Sequence, residues 1–279
     1  MPLSIDPIAG SIGATVTGLH LRSLDDATFD TIHDAWLENL VLFFPDQHLD
    51  PTEQRDFARR FGDLEVHPLT EKLEGTPEVT LLHSDRGGRA DVWHTDVTFN
   101  EQPPIAAVLQ QISGPEAGGD TMWANQYAAF AAMSPALQEF LRGLTAVHTG
   151  WPHGHPGMKA ERPIVLRHPE TGRETLAVNR LFTTRIPQLE QSESDAVLAH
   201  LFNWGDRPEF TCRWTWSPGD VVIWDNRCTR HYAIGDYDTE RVMHRVTVLG
   251  AYTDGEQTPA RWPDHDVKRL SASTAFVKR

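Results

Sequence analysis

The chain of 279 residues carries 25 Lys and Arg against 39 Asp and Glu, a formal charge of −14, and is 39% hydrophobic. That length can bury a sizeable core, while so acidic a body without a basic run argues against a nucleic-acid partner. No apolar stretch approaches the roughly 18 residues of a membrane span, and the N-terminal MPLSIDPIAGSIGATVTG lacks the basic-then-apolar order of a secretory signal.

In chain order, the first expected strand is IGATVTG (12–18). A helix over 26–38 comes next, with Phe29, Ile32, Trp36 and Leu37 at helical spacing. After the strand LVLFF (40–44), Asp50 and Pro51 read as the cap and first position of a helix over 51–62. VTLL (79–82), WHTDVTF (93–99) and IAAVLQQI (105–112) read as further strands. PIVLRH and ETLAVN form a hairpin through Pro169-Glu170-Thr171-Gly172. A third helix is expected over 194–204, with Gly205 as its stop signal. The strands FTCRWTW (210–216), DVVIWD (220–225) and RVMHRVTVLGAY (241–252) complete the pattern. Strands recur throughout without the alternating strand–helix rhythm of a parallel doubly wound sheet. The expected fold is therefore mainly β with flanking helices, a jelly roll, in one domain over 1–279. Residues 148–163 read as a turn-rich flap and 254–279 as a tail. Cys212 and Cys228 are too few for a disulfide framework, so a cytoplasmic location is expected.

His94-Thr95-Asp96 lies in a strand-like run, where residues two apart point to the same face. With 14 His in the chain, about one His-x-Asp is expected by chance. His48/Asp50 and His83/Asp85 share the pattern, but Asp50 is better used as a helix cap and His83/Asp85 as a surface turn. His94/Asp96 is set apart by its companions further along the chain: His231 after DVVIWDNRCTR, then Arg241 and Arg245. Two imidazoles and one carboxylate on one face suit iron(II) with open positions for a keto acid and oxygen. The keto acid's distal carboxylate needs a cation, and Arg pairs with both of its oxygens. Thr121, after Gly118-Gly119-Asp120, offers a hydroxyl to the same carboxylate. If 241–247 is one strand, Arg241 and Arg245 share a side about 13 Å apart, a spacing suited to two different anions.

On FGDLEVHP (61–68), WHTDVTF (93–99), PEAGGDTMW (115–123), FTTRI (182–186), WSPGDVVIWDNRCTRHYA (216–233) and RVMHRVTVLG (241–250), the chain resembles the iron(II)- and 2-oxoglutarate-dependent dioxygenases of the taurine dioxygenase type. That family also includes alkylsulfatases and aryloxyalkanoate dioxygenases. The resemblance spans roughly residues 8–252 and implies a double-stranded β-helix, in agreement with the strand reading. It implies an iron triad of His94, Asp96 and His231, and Thr121 with Arg241 as holders of the oxoglutarate distal carboxylate. It further implies a primary-substrate site lined by His67, the Val97 backbone, Phe182 and Arg245. Where taurine dioxygenase has a Tyr and an Asn, this chain has Thr70 and Ala90, which implies a roomier and less polar pocket.

The expected activity is hydroxylation of a C–H bond in a small anionic substrate with Fe(II), 2-oxoglutarate and O2, releasing succinate and CO2. A sulfonate or alkyl sulfate is favoured, and a carboxylate is second. The rivals are a non-redox metal hydrolase using the same triad, and an inactive jelly-roll binding protein. By the same resemblance the chain is expected to form a dimer or tetramer. His153 and His155 read as a solvated loop, Trp214 and Trp216 as core, His244 and Cys228 as packing groups, and Asp225-Asn226 as a turn.

Overall fold

The structure is a computed structural model that describes residues 2–66, 72–84 and 90–253. His67, Thr70, Asp85 and the 254–279 stretch lie outside the described residues. Strands β1 (Ser4–Pro7), β2 (Ala14–Thr17) and β3 (Val41–Phe44) come first, then β4 (Asp63–Leu64), β5 (Lys72–Leu73) and β6 (Thr76–His83). β7 (Ala106–Ser113) and β8 (Thr121–Asn125) precede β9 (Thr145–Gly150) and β10 (His155–Pro163). Next come β11 (Val165–Arg167), β12 (Glu174–Leu176), β13 (Thr183–Arg185) and β14 (Thr211–Trp214). β15 (Val221–Asp225), β16 (Thr229–Ala233) and β17 (Val242–Leu249) close the series. The larger sheet runs β1-β2-β3-β15-β7-β17-β6-β5, with β4 on β17, and a smaller sheet runs β14-β8-β16.

The side-chain alternation of the larger sheet explains the double layer. Val221 and Ile223 of β15 point with Leu42, Phe44, Val108, Val246 and Val248 towards helices α1 (Asp26–Asn39) and α2 (Pro51–Arg59), where Ile32, Trp36 and Phe57 wait. Val222 and Trp224 point the other way with Phe43, Ala107, Leu109 and Met243, onto Trp123 and Trp216 of the smaller-sheet side. Burial on both faces is why these strands read as apolar runs rather than as strict alternation. The result is the jelly roll expected from the sequence, with the site between its two sheets.

Capping fixes the early helices. Asp25 accepts from the Thr28 N–H at 2.8 Å, and Asp50 and Glu53 form a reciprocal capping box at 2.8 and 2.9 Å. The hairpin β11–β12 turns at 169–172 as its sequence indicates, with the Gly172 N–H on the His168 carbonyl at 2.9 Å.

Several expectations are corrected. The 194–204 helix is α5 (Gln191–Gly205), so Gly205 lies inside its last turn rather than beyond it. Its smallness serves packing, since a Cβ there would sit 2.6 Å from the Arg230 guanidinium. Two short helices, α3 (Gln126–Ala131) and α4 (Pro135–Arg142), escaped the periodicity reading although Asn125 and Ser134-Pro135 cap them. Residues 148–163 are largely the β9–β10 hairpin, closed by a short turn at Trp151–His153. The expected strand 93–99 is a single bridge at His94 leading into a turn. No described helix is long and apolar enough to cross a membrane.

Candidate functional site

His231 stands in β16, and backbone bonds of 3.0 and 2.7 Å tie His94 to it. That bridge sets the two imidazole rings with centroids 4.1 Å apart. Asp96 reaches them from a turn, not from the strand alternation read in the sequence. The turn is held by Asn226, whose Oδ1 accepts from the Asp96 N–H at 2.9 Å while its Nδ2 donates to the Asp96 and Pro104 carbonyls. Thr95 adds a hydroxyl bond of 2.8 Å to the Thr229 carbonyl. Val97, a β-branched residue, is driven to φ 37°, so strain is stored beside the carboxylate. The loop after β15 thus aims the aspartate.

The donor set fits a divalent metal. Asp96 Oδ1 lies 3.8 Å from His94 Nε2 and 3.6 Å from His231 Nε2, and one ligand atom from each residue falls within 4.8 Å of the others. His94 Nδ1 donates to the Val92 carbonyl at 2.7 Å, which leaves the Nε2 lone pair facing the site. Burial and the neighbouring His231 push the His94 imidazole down to about 3, so it is neutral and ready to ligate. Burial raises the Asp96 carboxyl, but Arg245 and His231 outweigh it and hold it well below the usual range. Two imidazoles and one carboxylate, all buried, are the donor chemistry of a non-haem iron site.

Two arginines flank this cluster. Arg241 immediately precedes β17, where a bulge opposite β7 falls between Val242 and Met243. Its guanidinium lies 5.8 Å from the Trp216 ring, and that of Arg245 lies 5.9 Å from Trp224, so both face the interior. Arg245 contacts Asp96 Oδ2 at 2.6 Å. Arg241 has Nε and Nη2 buried without a hydrogen-bond partner, two N–H groups arranged for a carboxylate. Beside it Thr121 Oγ1 accepts from Trp216 Nε1 at 3.0 Å, which turns the hydroxyl proton to other acceptors. Buried orphan donors of this kind are where a ligand anion belongs.

Phe182 is fully buried, with its ring 6.4 Å from His94 and 5.0 Å from Phe99. The turn at Trp151–His153 is exposed, as expected of a solvated segment, and the His153 ring also stands 5.0 Å from Phe182 at the pocket wall. Of the sequence-derived set, the structure gathers His94, Asp96, Val97, Thr121, Phe182, His231, Arg241 and Arg245. His67 is not among the described residues. Sequence reading missed the brace at Asn226 and the polar use of Trp216; both looked like turn and core, and no spacing signals either. His244 faces the helices, its carbonyl accepting from Gln54 Nε2 at 3.0 Å. Cys228 is buried with its thiol pushed well up by burial, so it is inert.

Comparison with known proteins agrees with this geometry. The family described as taurine catabolism dioxygenase TauD, TfdA matches residues 4–247. A protein of Acinetobacter baylyi named alkylsulfatase is 41% identical over 276 residues, covering 91% of this chain and 87% of its own. A Pseudomonas putida protein named alpha-ketoglutarate-dependent sulfate ester dioxygenase is 37% identical, covering 90% of each. A solved structure described as a putative alpha-ketoglutarate-dependent taurine dioxygenase from Burkholderia xenovorans superposes with a TM-score of 0.86 at 33% identity. It covers 94% of this chain and 99% of its own.

Proposed function

The chain belongs to the TauD/TfdA family, and from that premise we propose that His94, Asp96 and His231 hold the iron, Thr121 and Arg241 the oxoglutarate distal carboxylate, and Arg245 the primary substrate's acid group. The protein is an iron(II)- and 2-oxoglutarate-dependent dioxygenase acting on small anionic molecules. When bound, iron, 2-oxoglutarate (alpha-ketoglutarate) and oxygen supply the oxidation: the keto acid becomes succinate and carbon dioxide, and a substrate C–H bond becomes C–OH.

The chain's own residues bind, orient and exclude water. The neutral imidazole of His94, the buried ring of His231 and the ionised Asp96 offer three ligands on one side, and Asn226 keeps the carboxylate turn in place. The observation that carries the co-substrate assignment is Arg241, whose Nε and Nη2 are buried and unpartnered beside Thr121. A non-redox hydrolase would leave that cation without a purpose, and an inactive binder would be marked by failure of the purified chain to hold iron. Phe182 and Phe99 form an apolar wall that keeps water from the reacting carbon.

For the substrate, a sulfate ester is favoured over a sulfonate, and both over a carboxylate. Arg245 supplies the cation, and two relatives of this chain are named for alkyl sulfate and sulfate ester substrates. Hydroxylation of the carbon bearing the sulfate gives an α-hydroxyalkyl sulfate; its hydroxyl loses the proton and becomes the aldehyde carbonyl as the C–O bond to sulfate breaks, releasing hydrogen sulfate. His67 belongs to the same substrate site in this reading. We carry the further expectation of a cytoplasmic, single-domain enzyme assembling as a dimer or tetramer, which sedimentation of the purified protein measures.

The test is succinate formation from 2-oxoglutarate with iron(II) and air, across alkyl sulfates, sulfonates and carboxylic acids, with His94→Ala as control. Stimulation by sulfate esters with release of inorganic sulfate, absent in the control, is expected. Stimulation by carboxylic acids alone would overturn the substrate assignment, and equal succinate in the control would overturn the triad.

A further inference from the structure

We propose that Thr98 is a positioning residue for the reaction: its hydroxyl locks the turn that carries Asp96 to the substrate wall at Phe182, so that metal and substrate stand at one separation. The inference rests on the reading of Asp96 as a metal ligand and of Phe182 as that wall. Those residues come from distant parts of the chain, Asp96 from the turn braced by Asn226 and Phe182 from the connection between β12 and β13. Oxidation at one chosen carbon requires the two to hold a fixed geometry, and a displacement of about 1 Å can cost about 100-fold in rate.

The Phe182 side is a closed turn. Asn179 Oδ1 accepts from the Leu181 and Phe182 N–H groups at 3.2 and 2.9 Å, and the Asn179 N–H donates to Thr183 Oγ1 at 2.9 Å. Its amide nitrogen Nδ2 donates to Thr98 Oγ1 at 3.1 Å, across 81 residues of sequence. The Thr98 hydroxyl in turn donates to His148 Nδ1 at 2.8 Å, in the strand β9 that pairs with Thr183. Thr98, Asn179, His148 and Phe182 are all buried, so these bonds are made without competition from water. On the metal side Thr98 stands two residues from Asp96 and follows Val97, whose φ of 37° is a strained value. The Phe99 ring, 5.0 Å from Phe182, also joins the two segments, but apolar contact has no direction. The Thr98 hydroxyl supplies the directional part of the joint. The turn does not depend on that hydroxyl for its own shape. Arg162 Nε donates to the Thr98 carbonyl at 2.8 Å, Arg162 Nη2 donates to the Asn100 carbonyl, and Asn226 accepts from the Asp96 N–H at 2.9 Å.

Thr98→Val removes the hydroxyl and keeps the branched shape, and n-hexyl sulfate and hexane-1-sulfonate serve as probes. With iron(II), 2-oxoglutarate and air, the sulfate or sulfite released per succinate formed should fall from about one in the parent to about one half or less, and kcat/KM for the probe about 10-fold. Calorimetric titration of Mn(II) into the metal-free variant should give an affinity within about two-fold of the parent, and the KM of oxoglutarate should hold to the same margin. Thr98→Ser, which keeps the hydroxyl, should match the parent in every reading. A purely structural role would lower the melting temperature of Thr98→Val and leave the release per succinate unchanged, and that result would overturn the proposal. So would a matching loss of Mn(II) affinity, which would make the hydroxyl part of the metal turn's own scaffold. Phe182→Ala separates this failure from that of the underlying reading: if its release per succinate equals the parent's, the wall assignment falls and the link with it. If Phe182→Ala lowers the release and Thr98→Val does not, the link alone falls. Release of neither anion by the parent would fell the substrate reading and the proposal together.

Discussion

Among the described residues two buried histidine–carboxylate clusters stand out, and they differ in which lone pairs remain available. In His94, Asp96 and His231 the Nε2 atoms face a carboxylate at 3.6 to 3.8 Å, too far to be hydrogen-bonded and close enough to share an ion. In the second cluster, His168, Asp225 and Cys228 also place ligand atoms within 4.8 Å. There, however, His168 Nε2 donates to Asp225 at 3.0 Å and Nδ1 accepts from the Glu170 and Thr171 N–H groups. Arg227 neutralises Asp225 at 2.7 Å and Glu170, so every lone pair of the ring is used. Residue types and spacing alone do not make a metal site; unspent ligand atoms do. The second cluster instead ties the β11–β12 turn to the end of β15, the base of the turn that carries Asn226.

The contrast can be broken by substitution. Asp96→Ala should reduce iron-dependent turnover by at least about 1,000-fold while the protein still folds, measured as succinate release and circular dichroism. Asp225→Asn should instead cost about 3–5 kcal/mol of stability, because it strands Arg227 and His168 in the interior, while the folded fraction keeps its metal. Urea unfolding combined with metal analysis of the folded protein separates these effects. Arg245→Ala should raise the KM of the primary substrate about 100-fold and leave that of oxoglutarate within about two-fold, read from steady-state kinetics with each varied in turn. Equal losses would mean that the two arginines share one ligand.

The smallest effect concerns pH. His148, fully buried behind the metal turn, is pushed down to about 3 by burial and by Arg162, while its ordinary value is 6.5. The folded protein keeps it neutral, and the unfolded chain takes up the proton. Its contribution is therefore flat above pH 6.5, and stability falls as pH drops from there towards 3, by up to about 1.4 kcal/mol per unit. His148→Gln should flatten the urea midpoint between pH 6.5 and 5; an unchanged slope would place the titration elsewhere.

Much of this was legible in the sequence, for physical reasons. The strands buried on both faces announce themselves as apolar runs, and Asp50 and the Pro169–Gly172 turn carry local signals that need no tertiary context. The triad, Thr121 and both arginines were visible as residue types in order. The mechanism of convergence was not: Asp96 comes from a turn braced by Asn226 across 130 residues of sequence, which no periodicity encodes. Short helices such as α3 and α4 are settled by packing rather than by pattern, and the β9–β10 hairpin is built from Gly, Pro and His that read locally as loop.

The most direct measurement is calorimetric titration of Mn(II) into the metal-free parent, His231→Ala and His168→Gln. One ion per chain in the parent and in His168→Gln, with none in His231→Ala, is the predicted result. A second ion in the parent, or loss of the ion in His168→Gln with retention in His231→Ala, would contradict the assignment of the metal to His94, Asp96 and His231.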